Sequence, residues 1–96
     1  MRHRSLRMQK LYRQKRIPLV KEMLAEDETG MPALCVRCGR VATEVDEIVG
    51  RGRGGSFIDE SNCQKFCNLC HRWKTDHPAQ AAAEGFSASK KKQFSF

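Results

Sequence analysis

No stretch of this sequence stays apolar long enough to cross a membrane, no acidic residue precedes Glu22, and aromatic side chains make up only 7% of the chain. The first absence argues against a membrane-spanning helix. The start, MRHRSLRMQK, also lacks the apolar segment of a secretory leader, so a soluble, cytoplasmic and reducing setting is expected. At 96 residues the chain allows one small domain with limited apolar burial, which ordinarily needs a staple. Five cysteines are the material for one.

The missing acids leave the N-terminal segment strongly basic. Arg2, Arg4, Arg7, Lys10, Arg13, Lys15 and Arg16 all precede Glu22, Arg51 and Arg53 fall together further on, and Lys90, Lys91 and Lys92 lie near the C-terminus. With a formal net charge of +7, such clusters suit a polyanion, and the N-terminal run is expected to contact nucleic acid, Arg13, Lys15 and Arg16 among its contacts. The three C-terminal lysines read as a solvated tail.

Three segments follow from the pattern. Residues 1–31 form a basic helical arm, in which Pro18 opens a second helix whose apolar face is Leu19, Val20, Met23 and Leu24; Gly30 and Pro32 end it. Residues 32–78 have short elements: a strand over 41–49, a loop over 50–56 (GRGRGGS), a returning strand over 63–67 and a helix over 71–75. Residues 79–96 hold a helical turn through Ala81–Ala83 and then a basic tail. Together they read as a small α+β protein.

Cys35-Val-Arg-Cys38 and Cys67-Asn-Leu-Cys70 are two C-x2-C pairs 28 residues apart. Each pair puts two thiolates on one tight turn, and two such turns make a tetrahedral sulfur cage suited to structural zinc. Four thiolates and one Zn2+ add a net −2, taking +7 to about +5, so the chain stays basic. Cys63 is left over, either as a small hydrophobe in the second strand or as an exchange partner for the cage. With four cysteines supplied, His71 is surplus to that cage and available to a second metal.

In order, C-x2-C-G, ATEVDEIV, a loop with Gly54 and Gly55, and NCQKFCNLCHRWKT resemble the HNH endonucleases, in particular the small zinc-stapled members common in bacteriophage genomes. The similarity covers residues 32–78. It implies a ββα-metal fold, a hairpin with a long loop followed by a helix, clamped by the four-cysteine zinc. It further implies that Asp46 and His71 hold one catalytic divalent ion such as Mg2+ or Mn2+, and that Asn62 supports the loop. The implied activity is hydrolysis of DNA phosphodiesters; the implied partners are DNA and, for phage members, the terminase or portal of DNA packaging, in the cytoplasm of a bacterial host.

The chain departs from the family pattern in one chemically important place. The histidine that acts as general base belongs directly after Asp46, and here that position is Glu47. A carboxylate can accept a proton, but it is a weaker base by about 2 pKa units at reference values. Adjacent strand residues face opposite ways, so Asp46 and Glu47 do not chelate one ion together without a bulge. Glu47 is therefore expected as base first and ligand second, with a silenced, zinc-stapled DNA-binding module as the alternative. Arg51, Arg53 and Lys74 are the expected phosphate contacts, and Gly52, Gly54 and Gly55 the positions that allow close backbone approach. Trp73 is expected to pack rather than stack on bases.

Overall fold

The computed structural model describes residues 5–88; the expectations for Arg2, Arg4 and Lys90 to Lys92 concern residues outside that range. Ser5 caps the first helix, α1 (Leu6–Leu11), its hydroxyl accepting from the Met8 N–H at 3.1 Å. Tyr12–Arg16 then form a widened π turn in which the Ile17 N–H reaches back to the Tyr12 carbonyl, and α2 (Ile17–Leu24) continues from it. Pro18 has no N–H to give, and its ring would crowd the carbonyl four residues earlier. The wider turn relieves that conflict, so residues 6–24 make one interrupted rod instead of two separate helices. Beyond α2 the Asp27 carboxylate accepts from the Thr29 hydroxyl at 2.7 Å and from the Thr29 and Met31 N–H groups, led by the Thr29 hydroxyl in holding that carboxyl below its ordinary pKa.

Two strands, β1 (Glu44–Glu47) and β2 (Cys63–Phe66), pair antiparallel with Glu44 opposite Phe66, Asp46 opposite Gln64 and Glu47 opposite Cys63. β1 is shorter than the expected 41–49, because Val41 and Val49 form isolated bridges to Leu34 and Ala88 instead of continuing the hairpin. Cys67 leaves β2 to cap α3 (Asn68–Asp76), its sulfur accepting from the Cys70 N–H at 3.4 Å. That cap starts the helix three residues before the expected position. Pro78 opens the short α4 (Pro78–Ala83), as a proline in a first turn should.

The hairpin lies between the two helical parts. α2 rests against β1, while α3 packs on both strands. Because strand side chains alternate, Val45 and Glu47 turn toward the arm and Glu44 and Asp46 toward α3. The core is built around the cysteines: fully buried Phe66 touches Cys35, Cys67 and Cys70, and Phe86 leans on it with ring centroids 5.8 Å apart. Part of the expected tail thus belongs to the fold, since Phe86 packs here and the Ala88 N–H donates to the Ile48 carbonyl at 3.0 Å. The result is a small α+β structure with a two-stranded antiparallel sheet. Among the described residues no helix is long and apolar enough to cross a membrane.

Candidate metal centre and polar cleft

The two C-x2-C turns meet. The sulfurs of Cys35, Cys38, Cys67 and Cys70 all lie within 4.8 Å of one another, and Cys38 Sγ is 3.5 Å from Cys67 Sγ. A tetrahedral cage with metal–sulfur bonds of about 2.3 Å has its sulfurs about 3.8 Å apart. The four cysteines could therefore hold a structural metal ion such as zinc. Gly39, with φ +82°, makes the first turn possible, its N–H donating to the Cys35 carbonyl at 3.0 Å.

The protonation of the cage is uneven. Burial opposes ionisation of Cys35, but backbone N–H groups of Cys38, Cys67 and Arg37 directed at its sulfur outweigh that and lower its pKa to about 6. Cys67 is lowered chiefly by the Cys70 N–H, whereas burial pushes Cys70 up to about 12. Four thiolates side by side need a cation between them. Arg37 adds one positive charge from outside: its Nη1 reaches Cys70 Sγ at 3.6 Å while its guanidinium lies 3.6 Å over the Trp73 ring. Trp73, which also meets Phe86 edge-on, is a packing residue as expected.

Cys63 sits apart from the cage. It is buried in β2 with the Arg16 guanidinium 3.6 Å from its sulfur, and burial raises its pKa.

Beside α3, a cleft of about 400 Å3 is lined by Asp46, Glu47, Arg53, His71 and Lys74 together with glycines of the loop. Strand alternation delivers Asp46 and the first turn of α3 delivers His71, so that Asp46 Oδ1 and His71 Nε2 lie 3.5 Å apart. Asp46 Oδ2 accepts from the Gln64 side chain at 3.0 Å and from the Lys74 ammonium, which also donates to the Glu47 carbonyl at 2.8 Å. Lys74, one helical turn after His71, is thereby half-buried against the carboxylate it was expected to accompany at phosphate.

Asn62 does what the loop requires. Its Oδ1 accepts from the Val49 N–H at 3.0 Å, and its Nδ2 donates to the carbonyls of Val49 and Ser56, both at 2.9 Å. Those three bonds close the loop over 49–56 on itself. Gly55 is needed for the same closure, since a Cβ there would fall 1.7 Å from the Val49 carbonyl oxygen. Its close backbone approach is to its own chain. Gly54, at φ +89°, ends the short 3-10 turn Arg51–Arg53. Arg53 faces the cleft, whereas Arg51 lies over the Phe57 ring at 4.9 Å.

Two expected site residues meet each other instead of a ligand. Arg16 is only 8% exposed: it donates to the carbonyls of Phe57 at 2.8 Å and Val45 at 2.9 Å and pairs with the Glu47 carboxylate at 3.0 Å. It fastens the arm to the hairpin and is not presented to a polyanion, while Arg13 and Lys15 in the same turn remain exposed. Glu47 also lines the cleft and gives its carbonyl to Lys74, but its carboxylate is taken up by Arg16. The base role expected for it would require the Arg16 pair to open.

Glu44 is the residue the sequence signals pass over. Its Oε1 lies 2.7 Å from His71 Nδ1. An i, i+2 reading of the Glu44-Val45-Asp46 run carries the signal, because it puts Glu44 and Asp46 on one face. Comparison with protein-family models, with curated proteins and with solved structures finds no match.

Proposed function

We propose that this chain is a zinc-stapled DNA endonuclease of the HNH type, built on a ββα-metal fold and hydrolysing phosphodiester bonds with one divalent ion. The observation that carries the reading is the convergence of Asp46 and His71 at the mouth of a cleft rimmed by Arg53 and Lys74. Two donors each about 2.1 Å from one ion, at angles between octahedral and tetrahedral, lie about 3.0–3.4 Å apart, close to the 3.5 Å between Asp46 Oδ1 and His71 Nε2. The carboxylate oxygen suits Mg2+ or Mn2+ and the imidazole nitrogen the later first-row metals, so the pair admits a divalent cation without selecting one. The thiolates of Cys35, Cys38, Cys67 and Cys70 suit zinc.

In this mechanism Asp46 and His71 would hold the ion, and Gln64 keeps the Asp46 carboxylate oriented from the opposite strand. Bound there, the ion supplies Lewis-acid stabilisation of the charge that grows on phosphorus oxygens. Arg53 binds a neighbouring phosphate oxygen, and Lys74 holds the second oxygen of Asp46 from α3. Asn62 keeps the loop that carries Arg53 in one conformation, and the cage fixes α3 against the hairpin so that His71 and Asp46 stay aligned.

One observation favours a second reading, a binding module without cleavage: the residue after Asp46, Glu47, has its carboxylate engaged by Arg16 on the far side of the strand. Supercoiled-plasmid nicking with Mg2+, Mn2+ or EDTA, run beside His71→Ala, separates the two. Metal-dependent nicking lost in the variant supports the nuclease. DNA binding that persists in His71→Ala and falls steeply with salt, with no nicking under any metal, supports the module.

A further inference from the structure

The imidazole of His71 is bracketed by two carboxylates from one strand face, and only one of them is explained by the proposed ion site. Asp46 faces Nε2 at 3.5 Å; Glu44 faces Nδ1 at 2.7 Å. The second distance is that of a short, charge-assisted hydrogen bond, whereas the first leaves room between the two atoms. Glu44 has Phe66 opposite it in the register, and its side chain is about one-third exposed. The geometry therefore gives Glu44 its polar partner on α3.

We propose that Glu44 is a positioning residue for the Asp46–His71 pair: by accepting the Nδ1–H of His71 it fixes the ring's tautomer and orientation and leaves the Nε2 lone pair open to an ion shared with Asp46. The inference rests on the divalent-ion reading for its consequence, though the hydrogen bond itself does not. A metal-binding imidazole whose second nitrogen is held by a carboxylate is more basic and is pre-aimed; loss of such a partner costs on the order of 10–100-fold in metal affinity. Three features cooperate to make the arrangement: the two-residue period of β1, the start of α3 at the Cys67 cap, and the His71 N–H bound to the Cys67 carbonyl at 3.0 Å. The structural cage thereby sets the position of the ring that Glu44 orients.

The test uses the full zinc-loaded chain with 15N-labelled histidine. Long-range proton–nitrogen correlation at pH 8.5, with His71 assigned by its disappearance in His71→Ala, reads which ring nitrogen carries hydrogen. The expected result is hydrogen on Nδ1 in the wild type and a shift toward the Nε2–H form in Glu44→Ala, with Glu44→Gln nearer the wild type because its amide oxygen can still accept. Mn2+ titration followed by the free-ion electron paramagnetic resonance signal is expected to show binding weakened about 10–100-fold in Glu44→Ala and less in Glu44→Gln. Unchanged His71 nitrogen shifts in Glu44→Ala overturn the inference, even if Mn2+ binds the wild type. A tautomer shift without Mn2+ binding by the wild type supports the role of Glu44 in aiming the ring and overturns the divalent-ion reading instead. Zinc content and the urea midpoint of each variant establish that the fold is retained.

Discussion

The two faces of one four-residue strand put adjacent carboxylates in opposite circumstances. On the arm side of β1, Glu47 is sealed with Arg16 against backbone carbonyls and Cys63, in a pair whose side chains are 19% and 10% exposed. On the α3 side, Asp46 is no more exposed, at 14%, and is held by Gln64 and Lys74, but it lies beneath the more open His71 and Glu44, 46% and 31% exposed, at the edge of a cleft. Both are acids beside cations. The difference is that the Arg16 guanidinium and the Glu47 carboxylate are committed to each other and to backbone carbonyls, whereas the α3 face, though Lys74 is likewise committed, keeps the exposed His71 ring and Arg53 beside a space that a ligand can enter. A buried, fully hydrogen-bonded charge pair attaches one part of a protein to another; a half-exposed cluster at a cleft is where binding and chemistry are possible.

The comparison is broken most completely by removing what holds both faces in place. Chelation of the cage metal, or Cys70→Ser, is expected to abolish cooperative unfolding by circular dichroism, because structural zinc contributes about 10–16 kcal/mol of folding free energy in small domains and the cysteines are themselves the core here. Retention of a sharp transition after chelation would show that the hairpin and α3 stand without the metal.

The closed face comes next. Arg16→Ala strands the Glu47 carboxylate and is expected to cost about 3 kcal/mol in urea unfolding, as for other broken buried pairs, while Arg13→Ala and Lys15→Ala in the same turn stay within about 0.5 kcal/mol. Equal losses at all three positions would mean that the arm is not anchored by Arg16. Asn62→Ala is expected to cost about 2 kcal/mol, because it leaves the Val49 N–H and two loop carbonyls without their partner. Its plasmid nicking should fall further than stability alone explains, since Arg53 rides on that loop.

The smallest effect belongs to the open face. Arg53→Ala is expected to lower the slope of log DNA affinity against log salt by about 0.9, the share of one phosphate contact, without changing the urea midpoint. Arg51→Ala should change that slope less, because its guanidinium already lies over Phe57. Equal slopes for both variants would remove the distinction drawn between the two loop arginines.

Spacing in the sequence determined the cage, because two C-x2-C turns carry their own geometry and four soft ligands need only be brought together. It also determined the order of elements and the loop between the strands, whereas Asn62 as the support of that loop and the pairing of Asp46 with His71 were expected only from the family resemblance, and α3 starts three residues earlier than expected because the Cys67 sulfur caps it. Tertiary structure alone decided the fate of Arg16. Nothing local separates it from Arg13 and Lys15, and its burial depends on a π turn relieving Pro18 and on carbonyls 29 and 41 residues away. The same contact decided Glu47, whose environment is set by the helix packed over it and not by its neighbour Asp46. Glu44 lies between these cases: the strand period placed it beside Asp46, but only the packing of α3 brought His71 within 2.7 Å of it. Local periodicity tells which way a side chain points, and long-range packing decides what it finds there.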